Sequence, residues 1–162
     1  MVKEERYIGS PCGVVLCVDS CLPQIRGRLY HGYAQQMLPF QGIEKALFLM
    51  DDLFDSMQFP FPGTENRSFL SKKKKIQKRR MRKVMSDEEL LRKHGDKGTF
   101  IIRVKSRQHS SWQGLVTWTE EQKTLPFRSV LELIKIIDEA LSREDLEQRS
   151  SIDSREWENG TG

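Results

Sequence analysis

The sequence predicts an α+β fold, two tandem strand-strand-strand-helix repeats packed as one pseudo-symmetric domain. Three observations lead there. First, the stretch beginning at Val14 aligns without a gap, at an offset of 87, with the stretch beginning at Ile101. Gly27 meets Gly114, Gln35 meets Gln122, Leu38-Pro39-Phe40 meets Leu125-Pro126-Phe127, and Asp51 meets Asp138. Second, Ile43, Ala46, Leu47, Met50 and Phe54 match Val130, Leu133, Ile134, Ile137 and Leu141. Both sets follow i, i+3, i+4, i+7, i+11, the spacing of one helix face. Third, apolar residues alternate ahead of each helix, the mark of half-buried strands.

The elements follow in order. Residues 1–12 are expected to be a flexible N-terminus, and residues 13–56 the first repeat. Its strands are Val14–Asp19, Ile25–Tyr33 and Met37–Phe40, with a helix from Gly42 to Ser56. The second repeat is 99–143. Phe100, Ile102 and Val104 alternate on one strand face; Trp112, Val116 and Trp118 do so on the next. Pro126 suits an edge strand, since proline has no N–H for a ladder. Ser129 and Glu132 make a capping-box start for a helix that runs to about Ser142. The tail 144–162 is polar and acidic and is expected to be disordered. Between the repeats, 57–98 connects. Its QFPFPGTENRSF part is expected to lie extended over the core. Its SDEELLRKHG part should form a short helix, capped at Ser86 and stopped at Gly95.

At 162 residues the chain suits one ordinary domain. No apolar stretch approaches the ~18–20 residues of a membrane span, and no secretory signal pattern stands at the N-terminus. An intracellular, cytoplasmic protein is expected, or a nuclear one if the source is eukaryotic. Cys12, Cys17 and Cys21 are odd in number, and C-x4-C-x3-C is not a zinc spacing, so neither a disulfide framework nor a metal site is expected. His31 aligns with Trp118, which makes it a strand residue near the core. There is no Gly-rich phosphate loop and no nucleophile elbow. The expectation is a non-enzymatic protein without a cofactor.

Charge carries the functional signal. The run Lys72–Lys83, KKKKIQKRRMRK, holds nine of the chain's 27 basic residues and no acid. The other 18 basic residues are outnumbered by 23 acidic ones, so the net +4 rests on this one segment. Lys72, Lys73, Lys74, Lys75, Lys78, Arg79, Arg80, Arg82 and Lys83 are the candidate polyanion contacts. In the second repeat, strand alternation puts Arg103, Lys105 and Arg107 with Gln113 and Thr117 on a wet face away from the helix. The ungapped alignment puts Leu16, Val18, Ser20, Arg26 and Tyr30 on the matching face of the first repeat. Leu16 and Val18 are too apolar for open solvent and are expected to pack on the other repeat or the connecting segment.

Three strands followed by a helix, with Phe127, Glu132, Asp138 and Ala140 at these spacings, resemble the ethylene-response-factor type of plant DNA-binding domain. They also resemble the arm-binding domains of tyrosine recombinases. The resemblance covers Phe100 to Leu141 and departs in the longer loop Gln108–Ser111. It implies a sheet lying in the DNA major groove with Arg103, Lys105, Arg107 and Trp112 on or beside the reading strands. Two function classes stand: a DNA- or RNA-binding protein using the basic linker and an exposed sheet face, and an adaptor that engages a protein partner.

Overall fold

The computed structural model describes Ile8 and residues 13–63, 67–70 and 81–158. The fold is α+β. Strands β1 (Gly13–Ser20), β2 (Arg26–His31) and β3 (Leu38–Gln41) precede helix α1 (Ile43–Met57). The short helix α2 (Asp87–Leu91) leads to β4 (Gly98–Ser106), β5 (Gln113–Trp118), β6 (Lys123–Phe127) and helix α3 (Val130–Glu158). All six strands form one antiparallel sheet in the order β3-β2-β1-β4-β5-β6. Both edge strands carry a proline, Pro39 and Pro126, which blunts the open edges.

One sheet face packs on the helices. Val14, Leu16 and Val18 of β1 and Phe100, Ile102 and Val104 of β4 join Met50, Phe54, Leu133 and Ile137 in the main core. The alternate residues Val15, Cys17, Tyr30 and Ile101 point the other way, where Ile8, Met85 and Leu90 cover them. The central strands are therefore buried on both sides, which explains their nearly unbroken apolar run.

The first-repeat face expected from the ungapped alignment is corrected here. Val14 pairs with His31 and Val18 with Gly27, whereas Phe100 pairs with Trp118 and Val104 with Gly114. Gly27 and His31 match Gly114 and Trp118 at the offset of 87, but β1 matches β4 at one residue less. The extra residue lies in the β4–β5 connection. A one-residue slip moves every side chain to the opposite face. Leu16 and Val18 accordingly stand with Ile102 and Val104 on the helix side.

The repeated glycines have a steric cause. Each lies opposite a strand that bulges, between Val18 and Ser20 in β1 and between Val104 and Ser106 in β4. A Cβ on Gly27 would lie 1.8 Å from the Cys17 carbonyl oxygen, and one on Gly114 2.0 Å from that of Arg103. Phe40 and Phe127 pair directly across from these glycines and close the space a side chain would fill.

The helix starts follow the caps. Ser86 Oγ accepts from Glu89 N at 3.2 Å, and Ser129 Oγ accepts from Glu132 N at 3.1 Å. The Glu132 carboxylate reaches back one residue further than a capping box, accepting from Arg128 N at 3.1 Å. Helix α2 stops at Leu91, short of Gly95; that glycine instead abuts β1, where a Cβ would lie 2.4 Å from Val18 N. Helix α3 continues past Ser142 to Glu158, so the segment expected to be disordered is helical up to that residue. No glycine or proline interrupts it, and Arg143 pairs with Glu147 one turn on at 3.6 Å.

Leu133 is fully buried and its neighbour Leu131 is 60% exposed. Leu133→Ala is expected to cost about 2–5 kcal/mol and Leu131→Ala less than about 0.5 kcal/mol, read from urea midpoints. Equal effects would show the wrong helix face assigned to the core.

Candidate nucleic-acid interface

The bulge in β4 decides which cations face solvent. Ahead of it, Arg103 alternates onto the face that carries Ile101 and is half-buried; Lys105, the residue the bulge inserts, is exposed. Past it, the alternation is broken and Arg107 turns toward α1. Its Nε donates to Pro60 O at 2.7 Å, and one terminal nitrogen donates to Asp51 Oδ1 at 3.1 Å and Asp55 Oδ1 at 2.7 Å. The guanidinium lies 5.6 Å from the Phe54 ring centre. Arg107 is 5% exposed, so it is not the free reading cation the sequence implies. Trp112, also implied beside the reading surface, is buried edge-on against Phe54 at 5.5 Å.

Gly63, nine residues ahead of the basic run, and Val84 and Met85, directly behind it, meet the sheet at one end. Gly63 lies beside Gln108, just past β4. At the other flank, Val84 N and Met85 N both donate to Gly32 O, just past β2, at 2.7 and 3.0 Å. Gly13 pairs with Arg103 and Val14 with His31, so these two anchor points, Arg103 and Lys105 occupy the same end of the sheet. Arg82 and Lys83 are exposed there, Lys83 paired with Asp87. Lys72, Lys73, Lys74, Lys75, Lys78, Arg79 and Arg80 lie outside the described residues.

The opposite end of the outer face holds a cluster that strand patterning missed. Arg28 forks onto Asp19 at 2.9 and 3.0 Å, and donates to Tyr30 Oη at 2.8 Å and His94 O at 2.7 Å. The Asp19 carboxylate raises the Arg28 pKa above its ordinary value. Lys93 sits 5.1 Å from the Tyr30 ring centre. A charged pair beside apolar strand residues was the available signal. Beneath it, burial pushes the Cys17 thiol up to about 12, which leaves it a protonated core residue. His31 is buried, accepts from Tyr33 N at 3.1 Å through Nδ1, and burial lowers its pKa. Among the described residues, no group of three His, Cys, Asp or Glu side chains could hold a metal ion. Among the same residues, no helix is long and apolar enough to cross a membrane.

No family model, curated protein or solved structure matches the chain.

Removing Arg107 leaves Asp51 and Asp55 facing each other without a cation. Arg107→Ala is expected to cost about 3–5 kcal/mol by urea denaturation. Asp51 behaves differently, because burial and the neighbouring Asp55 carboxylate raise its pKa despite Arg107. Its native state keeps the proton to a higher pH than the unfolded chain, so its contribution falls as pH rises through the carboxylate range. Asp51→Asn should remove that fall and cost less than Asp55→Asn at neutral pH. For His31 the sign is opposite. The unfolded chain protonates first, so stability drops as pH falls below the ordinary value of 6.5. Urea midpoints of His31→Gln should lose that acid-side drop; an unchanged drop would place its origin elsewhere.

Proposed function

We propose that the chain is a non-enzymatic nucleic-acid-binding protein, an internally duplicated strand-strand-strand-helix unit that acts inside the cell. The observation that carries the reading is the shared location of the cations. Arg103, Lys105, Arg82 and Lys83 stand at the sheet end to which Val84 and Met85, directly behind the basic run, are bonded and near which Gly63, nine residues ahead of it, lies. Lys72, Lys73, Lys74, Lys75, Lys78, Arg79 and Arg80 follow in sequence between Gly63 and Val84. Nine cations in one run of sequence create a local field that attracts phosphates even though the remainder of the chain is acidic. Duplication is supported by a strand order that reads alike from either edge and by the pairs Gly27–Phe40 and Gly114–Phe127.

A protein-binding adaptor is the second reading. Phe59 and Phe61, on the strap that bonds Arg107 through Pro60, are 46% and 70% exposed. Addition of a partner strand to the sheet is disfavoured, because Pro39 and Pro126 interrupt both edges.

Salt titration separates the two. With roughly five phosphate contacts, the log–log slope for B-DNA should be about −4 to −5. Replacing Lys72–Lys75 by Ser should flatten the slope and weaken all sequences alike; Lys105→Ser should flatten it by about one contact. Fluorescence anisotropy on DNA and RNA at several salt concentrations makes the measurement. No binding at ~50 mM salt would remove nucleic acid as the partner and leave the adaptor.

A further inference from the structure

The two ends of the sheet are built alike and filled differently. At one, β4 bulges and Arg107, the next residue, lays its guanidinium on Asp51 and Asp55 of α1. At the other, β1 bulges and the residue at the same step past the bulge is Cys21. It faces α3, where Asp138 and Ser142 occupy the positions that Asp51 and Asp55 hold on α1 at the offset of 87. Where the long arginine side chain would run there is a cavity of about 240 Å³, lined by Cys21, Ile25, Ile43, Ile137, Asp138 and Ser142.

We propose that this cavity binds a short alkylguanidinium group. The isoleucine walls suit a chain of methylenes, which water solvates poorly. The Asp138 carboxylate is exposed, so a ligand reaches it from solvent. Its two oxygens match the planar fork of a guanidinium, a fit that a point-charge ammonium makes less well. Ser142 supplies one neutral hydroxyl where Asp55 supplies a second charge, so a single monocation balances the site. The volume lies below the ~300–1,000 Å³ of pockets that hold drug-sized ligands, which suits a group the size of an arginine side chain. Arg107 fills the matching position at the other end of the same sheet, which shows that an arginine side chain has the right reach. The group could arrive as a free alkylguanidine or as an arginine side chain of a peptide; the recognition chemistry is shared.

Titration of the full chain with n-propylguanidine, followed by amide NMR shifts around the cavity, tests the idea. Saturable shifts are expected, with affinity reduced about tenfold or more in Asp138→Asn. Butanol, uncharged and of similar size, should bind more weakly than the guanidine. Cys21→Arg should fill the cavity from within, raise the melting temperature and abolish binding. A short arginine peptide that binds more tightly than propylguanidine would identify a peptide as the source; equal affinity would identify the free compound. Absence of saturable shifts with both probes would overturn the proposal. So would shifts unchanged by Asp138→Asn in a variant that keeps the native spectrum.

Discussion

The pairing of β1 with β4 is the contact on which the rest of the molecule depends. Six residue pairs, from Gly13–Arg103 to Val18–Gly98, run antiparallel down the middle of the sheet. Each half alone would be a three-stranded sheet with a single helix, near the ~40-residue lower limit for independent folding. Joined through this ladder, the halves pool their apolar strand faces under α1 and α3. Their central strands also gain a second buried face beneath Met85 and Leu90. An unpaired β1 or β4 would expose a long apolar edge, so the ladder also removes the segment most prone to mispairing.

The paired bulges set what each strand end can do. A bulge inserts one residue and reverses the alternation beyond it. In β4 this withdraws Arg107 from the outer face and spends its charge on Asp51 and Asp55. In β1 the same device turns Cys21 toward α3. A buried arginine held by two carboxylates is weak evidence of added stability, since desolvation offsets much of the attraction. Its geometric consequence is firmer: the Pro60 carbonyl fastens the strap after α1 to the end of β4.

Helix faces, edge prolines and caps were legible in the sequence because each follows from local rules. Ser129 and Ser86 act where capping places them, and Pro39 and Pro126 lie on edges because they cannot donate. What failed was strand parity. Identities set the offset of 87 through Gly27, Phe40 and Asp51, whereas β1 shares Val18 and Ser20 with Val104 and Ser106 of β4 only at an offset of 86, a match the ungapped alignment passes over. Leu16 and Val18 were the warning, an apolar pair matched to the face that is wet in the second repeat. The same parity argument misplaced Arg107, because a bulge has no composition signature on its own strand; its trace is the glycine opposite, at Gly27 and Gly114. The continuation of α3 to Glu158 was missed for a different reason, since the sequence past Ser142 is polar and carries no apolar period.

The outer face limits how the cations at its end can be used. Ile8, Met85 and Leu90 seal the middle of the sheet, so a duplex could not lie flat across β1 and β4 as it does on an open three-stranded reader. With Arg107 buried, no described arginine past the β4 bulge remains to fork onto base edges from that strand. What stays accessible is Lys105, part of Arg103, and Arg82 with Lys83 at the rim. Flexible, rim-placed cations hold phosphates without fixing a base in register. The proposed contact is therefore one made to the backbone of the nucleic acid, strong at low salt and indifferent to sequence, with the covered sheet acting as the rigid support for the basic segment.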